Sequence, residues 1–251
     1  MTEKRKVLVY TDFDKTMIKE DSPKILAREM LLFYKKTFGW FFLPAQLTKT
    51  IYRFLLYKAT GKTEHFYKAF FFFDDDALGR VVENLTLNPK WIAGIQDIKR
   101  RESKSGEVDV VLTILSRNVI ELIRRFVARP EIKAKLTSLN CNVNEIIAHA
   151  DIFVGGQTII TAGVWREGMK QPFINAGGMI SRSISRQELR RVSVLSIQPF
   201  EVYEARIKGT IEKDKQHYLQ KWFEQHAYYL GDKDEEYLLK YGFPEERFYR
   251  I

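Results

Sequence analysis

At 251 residues the chain is long enough for one large domain, or for a core domain carrying a smaller insertion. Hydrophobic residues make up 45% and charged residues 29%, which excludes wholesale disorder, and a single cysteine, Cys141, excludes a disulfide within the chain. The formal charge of +9 attracts anions in general, but no nucleic-acid module signature accompanies it, so no nucleic-acid partner is expected.

The single cysteine fits a reducing compartment, and the opening MTEKRK leads straight into the apolar run VLVY, too short for a signal-peptide core, so a cytoplasmic setting, with membrane association as an option, is expected. Residues 7–11 (VLVYT) read as a buried parallel strand ending on an Asp-rich segment. Residues 21–90 read as mostly helical, with aromatic and apolar residues on repeated faces. Within them, the stretch from Phe38 to Tyr57 is apolar, but it contains Lys49, Arg53 and Pro44, which rules out a membrane span. Its interleaved basic and aromatic residues leave a membrane-surface helix as an alternative to ordinary packing on the protein's own core.

Val108 to Leu115 (VDVVLTIL) reads as a second strand, ending on Ser116, Arg117 and Asn118. A helix (VIELIRRFVA) follows, with Pro130 just beyond it as a stop. Residues 146–154 read as a third strand, and HAYYL at 226–230 as a fourth, ending in Gly231 and Asp232. Between these two, residues 155–205 are rich in Gly, Ser and β-branched residues, the composition of a β-hairpin excursion. Strands that end on Asp, Ser and Asp fit an open parallel α/β sheet, in which ligands bind beyond the carboxyl ends of the strands.

The chemistry concentrates in YTDFDKTMI, residues 10–18. Asp12 and Asp14, two apart after a buried strand, bring two carboxylates into one small volume, where a cation is needed to offset their repulsion. Oxygen donors without nitrogen or sulfur nearby favour magnesium over zinc. A carboxylate is also a competent nucleophile toward phosphorus. A helix cap or turn would explain one aspartate, but not the second carboxylate together with Thr16.

The segment TDFDKTMI resembles the first motif of the haloacid dehalogenase (HAD) superfamily, an apolar strand followed by D-x-D-x-T. The resemblance implies a Rossmann-like α/β core with a parallel sheet and helices on both faces, and a phosphatase that forms an aspartyl-phosphate. It implies Asp12 as nucleophile and Asp14 as acid and base, with the Asp14 main-chain carbonyl, Asp12 and Asp232 on Mg2+. Lys15 departs from the pattern, since glycine is usual there.

Three further motif fragments follow in the family's order. Ser116, with Arg117 beside it and Thr16 from the first motif, would bind the phosphoryl oxygens. Lys215, chosen over Lys213 for its spacing to Leu219, Trp222 and Phe223, would neutralise phosphoryl charge. In GDKDEE, Glu236 replaces the usual second Asp as supporting acid, with Asp234 and Glu235 competing for that role.

About 90 residues separate Asp12 from the second-motif strand, which resembles the phosphoserine phosphatase-like and phosphatidylglycerophosphatase C-like branch with a helical cap. The expected division is a core of residues 1–20 and 91–251 and a cap of residues 21–90, with Asp21 at the cap entrance and contributing to substrate binding. The implied substrate is a small phosphorylated metabolite or a phospholipid head group, with peripheral membrane contact through the cap. The alternative is a catalytically silent anion-binding or membrane-surface protein of the same fold. Neither the substrate nor the oligomeric state is legible in the sequence.

Overall fold

The structure is a computed structural model that describes residues 5–60, 75–103, 107–154, 157–169, 173–176, 179–181, 227–232, 239 and 243–251. The first strand, β1 (Arg5–Asp12), buries Val7, Val9 and Thr11 on alternate positions, the period of a pleated strand. A single π turn (Phe13–Met17) follows, and then the long helix α1 (Ser22–Thr60) and helix α2 (Asp75–Glu83). Helix α3 (Pro89–Glu102) starts on an Asn88 cap, whose side chain accepts from Lys90 N at 3.0 Å, with Pro89 in the first turn where its missing N–H costs nothing.

Strand β2 (Val108–Val119) buries Val108, Val110, Leu112 and Ile114. Helix α4 (Ile120–Ala128) buries Ile120, Leu122, Ile123 and Phe126 along one stripe. Pro130 both stops α4 and opens the next helix, α5 (Pro130–Ser138). Beyond it run β3 (Cys141–Val154), β4 (Gln157–Arg166), β5 (Phe173–Ala176), β6 (Met179–Ser181), β7 (Tyr228–Gly231) and β8 (Phe248–Arg250).

These eight strands form one sheet in the order β6-β5-β4-β3-β2-β1-β7-β8. The five strands from β3 to β8 in that order pair in parallel, and β4, β5 and β6 extend the β3 edge antiparallel. This is an α/β fold. In its parallel part the chain moves from β1 outward through β2 and β3, then returns to place β7 and β8 on the other side of β1. The strand order therefore reverses between β1 and β7, the position at which open α/β sheets form a crevice.

The β-rich excursion read at 155–205 enters the sheet through β4, β5 and β6; its later part lies outside the described residues. β3 begins five residues before the expected start at 146. Residues 141–145 alternate buried Cys141 with exposed Asn142 and Asn144, so this end of the strand is half-solvated and carries no continuous apolar run.

The helical reading of 21–90 meets α1, α2 and the first turn of α3, while 61–74 lie outside the described residues. Helical dihedrals fail inside α1 at Gly39 (φ 70°, ψ −173°), a left-handed residue that breaks the run into two helices. The first of these buries Leu26 and Met30 in one core cluster with Leu78, Val81 and Leu85, and Glu29 pairs with Arg80 at 2.9 Å. Arg129 closes the end of this layer by donating to the main-chain carbonyls of Val82 (2.6 Å) and Leu85 (2.8 Å).

The two ends of the 18–88 excursion lie side by side. Ile18 and Leu87 form an antiparallel bridge, Lys19 N donates to Thr86 O at 3.2 Å, and Asn88 N donates to Met17 O at 2.9 Å. Glu20 clamps Thr86 from both directions, accepting from its main-chain N (2.9 Å) and its hydroxyl (2.7 Å). Helix α3 then packs back onto the sheet. Gly94 is part of that contact, since a Cβ there would stand 3.1 Å from Leu230 Cδ2.

Candidate active site

Asp12 is the last residue of β1, at the point where the strand order reverses. It registers with Leu115 of β2, so Ser116 stands one residue further along that strand. On the other side Thr11 registers with Leu230 of β7, so Asp232 follows two residues on. The topology therefore brings the expected Asp12, Ser116 and Asp232 to adjacent strand ends at one edge of the sheet.

The chain turns sharply after Asp12. Ile18 N donates to Phe13 O at 3.0 Å across the π turn, and Phe13, Met17 and Ile18 are buried as the anchor of the turn. Lys15 adopts φ 58°, the left-handed region that glycine occupies freely and a lysine only with strain. That conformation explains why glycine suits this position. Lys15 Nζ lies 3.4 Å from Asp21 Oδ2, and Lys24 Nζ lies 2.8 Å from the same oxygen. Partial burial pushes the Asp21 carboxyl up, but hydrogen bonds and charge from Lys24 and Lys15 outweigh it and hold the group below the usual carboxylate range.

Asp14 points into a closed network. Its Oδ1 accepts from Ser22 N at 2.8 Å and from Ser22 Oγ at 2.5 Å, and its Oδ2 accepts from Asn118 Nδ2 at 3.1 Å. The same Asn118 amide nitrogen donates to Ser22 Oγ. Ser22 and Asn118 are both fully buried. Burial pushes the Asp14 carboxyl up to about 6, against the lowering effect of the Ser22 and Asn118 hydrogen bonds. Such a value suits a group that both gives and takes a proton near neutral pH.

Ser116 is buried, and its Oγ accepts from Asn118 N at 3.1 Å. Thr16 is also fully buried, and its hydroxyl has no hydrogen-bond partner among the described residues. Arg117 is the next residue of β2 after Ser116. Lys213, Lys215, Asp234, Glu235 and Glu236 lie outside the described residues.

The donor chemistry for a cation is all oxygen. The Asp14 carboxylate is engaged by Ser22 and Asn118, and among the described residues no group of three or more His, Cys, Asp or Glu side chains could hold a metal. Among the described residues, the oxygens this edge could offer a cation are the Asp12 and Asp232 carboxylates, with main-chain carbonyl oxygen from the turn after β1. Such a set fits a hard divalent cation that keeps much of its water, as magnesium does.

Two residues of the network lie outside the motifs that the sequence displays. Ser22 and Asn118 reach Asp14 from 8 and 104 positions away, and neither carries a local signal for that role. Asn118 stands two residues past a strand-end serine, where an asparagine is equally at home in a turn.

No family model matches the chain, and no curated protein matches it. Several solved structures do. A phospho-aspartyl intermediate analogue of phosphoserine phosphatase overlaps 95% of this chain and 84% of its own, at 16% identity and a TM-score of 0.37. A substrate-bound phosphoserine phosphatase overlaps 95% and 84%, at 14% identity and a TM-score of 0.40. A HAD-family hydrolase from Salmonella enterica serovar Typhi overlaps 64% and 46%, at 15% identity and a TM-score of 0.32. Likenesses of this depth assign no role to any residue.

Proposed function

We propose that this chain is a magnesium-dependent phosphatase of the HAD type that hydrolyses a phosphate monoester through an aspartyl-phosphate on Asp12. The observation that carries this reading is Asp12 at the strand-order reversal with Asp14 two residues on, its carboxyl near pKa 6 and held by Ser22 and Asn118. A capping aspartate has no use for a second, buried carboxyl poised to exchange a proton.

In the first step an Asp12 carboxylate oxygen bonds to phosphorus as the ester P–O bond breaks. The Asp14 carboxyl gives its proton to the departing alkoxide. In the second, a water attacks phosphorus, Asp14 takes a proton from that water, and the bond to Asp12 breaks to release inorganic phosphate. The Ser116 hydroxyl, whose oxygen accepts from Asn118 N, has its proton available for a phosphoryl oxygen. Asp12, Asp232 and the Asp14 main-chain carbonyl would hold the cation, which supplies charge neutralisation between the carboxylates and the phosphoryl group. Lys215 and Glu236 complete the proposed set, and residues 21–90 form the proposed cap that selects the ester.

Purified protein should hydrolyse p-nitrophenyl phosphate with magnesium, stop with EDTA and lose activity in Asp12→Asn. Full activity in that variant would overturn the reading.

A second reading concerns where the enzyme works, and a specific feature of α1 favours it. Leu47, Ile51, Phe54 and Leu55 fall on one side of the helix and are 41%, 58%, 46% and 60% exposed. Tyr52, 58% exposed, widens the patch, and Lys58 and Arg53 sit over the Phe54 and Tyr52 rings. No helix among the described residues is long and apolar enough to cross a membrane. An exposed apolar stripe with cations among its aromatic residues suits a helix lying on an anionic lipid surface, and with it a phospholipid head group as substrate.

A further inference from the structure

Asn118 uses its main-chain N–H and both polar atoms of its side chain within the site. Its main-chain N–H goes to Ser116 Oγ, its Oδ1 accepts from Val119 N at 2.7 Å, and its amide nitrogen divides its two protons between Asp14 Oδ2 and Ser22 Oγ. It is fully buried, so water cannot replace any of these bonds. Three segments meet there: the end of β2, the turn after β1 and the first residue of α1.

The bonds also fix where protons reside. Ser22 supplies both donors to Asp14 Oδ1, while Oδ2 receives one from Asn118, which leaves Oδ2 the oxygen with capacity for a proton. At Ser116 the hydroxyl oxygen is already an acceptor, so its O–H is free to turn outward as a donor.

We propose that Asn118 is a positioning residue for both halves of the reaction, holding the Ser116 hydroxyl through its main chain and, together with Ser22, the Asp14 carboxyl through its side chain. This rests on the phosphatase reading above. Asn118→Ala keeps the main-chain N–H and removes only the side-chain arm, so it separates the two duties. Ser116 stays oriented, whereas Asp14 loses the bond on Oδ2 and its rotamer is released.

A misaimed acid is felt most where the leaving group needs a proton. The test is kcat/KM across aryl phosphates from p-nitrophenyl phosphate to unsubstituted phenyl phosphate, for the wild type, Asn118→Ala and Ser22→Ala, all with magnesium. For Asn118→Ala the expected loss is about 10²-fold on phenyl phosphate and under about tenfold on p-nitrophenyl phosphate, whose phenolate leaves unprotonated. Ser22→Ala removes one hydroxyl while keeping the main-chain donor, so it should show a smaller loss with the same selectivity. It also carries the test if Asn118→Ala does not fold.

An equal loss on every ester would overturn the proposal, because a lowered folded fraction or a distorted sheet edge has no leaving-group preference. That result would leave the Asp12 reading standing. Full activity of Asp12→Asn, or a wild type inert on the whole series, would instead remove the phosphatase reading and this proposal with it.

Discussion

Trp91 donates its indole Nε1–H to the Thr11 hydroxyl oxygen at 3.0 Å, and that hydroxyl in turn donates to the main-chain carbonyl of Asp12 at 2.9 Å. Helix α3 is thereby bonded to the strand end that presents the candidate nucleophile. Both side chains are fully buried. Trp91→Phe should destabilise the protein by about 2 kcal/mol, from the lost hydrogen bond and the smaller ring. Thermal unfolding would register this as a fall of about 4–8 °C. An unchanged Tm would show that the bond contributes nothing net.

The left-handed Lys15 makes a prediction of the opposite sign. A non-glycine residue in that region costs about 1–2 kcal/mol. Lys15→Gly removes the strain together with the half-exposed pair to Asp21, so denaturant unfolding should show a net gain of about 1 kcal/mol. Lys15→Val, β-branched at the same φ, should lose at least as much. Stabilisation by valine would mean that the turn relaxes out of this conformation.

The raised Asp14 carboxyl imposes a pH dependence on stability. Its folded value of about 6 lies above the unfolded value of 3.8. The stabilising contribution is therefore complete below pH 3.8 and is lost as pH rises through 6. In EDTA, the stability of Asp14→Asn relative to wild type should rise by about 2–3 kcal/mol between pH 4 and pH 7, because the amide does not ionise. A constant difference across that range would show that Asp14 is not held in a desolvating site. Turnover should be severely impaired in the same variant, by about 10²–10⁴-fold.

The apolar stripe on α1 gives a prediction about location. Vesicles containing anionic lipid should retain the protein, and the triple change Leu47→Glu, Ile51→Glu, Leu55→Glu should release it. All three positions are exposed, so stability should shift by no more than about 0.5 kcal/mol for each. Retention of the triple variant would exclude this face as the contact.

Much of the α/β plan is legible because it depends on short-range patterns. VLVYT is apolar and β-branched, and the run from Val108 to Ile114 alternates buried with less buried positions, so β1 and β2 declare themselves locally. The same holds for Asp12 and Asp14, whose spacing alone draws attention. β8 declares nothing: three residues carry no period, and Phe248, Tyr249 and Arg250 form a strand because β7 offers them an edge. Ser22 and Asn118 are illegible for a related reason. Their role depends on the first turn of α1 and the end of β2 meeting over Asp14, and a contact spanning 96 residues leaves no mark in either neighbourhood. The start of α3 at Pro89 follows from the Asn88 cap and the buried Trp91.

The sheet order also has a consequence in time. β1 is made long before its neighbour β7, and Val9 must wait for Tyr228 before that pairing can form. Contacts of such sequence separation are slow to close. Until they do, β1 presents an open row of N–H and C=O groups, the feature through which chains stick to one another during synthesis. A ribosome-bound or truncated chain that stops before Tyr228 carries Asp12 on a bare edge without Asp232 beside it. Cover for the β1 edge and completion of the candidate site therefore come together, when β7 and β8 dock.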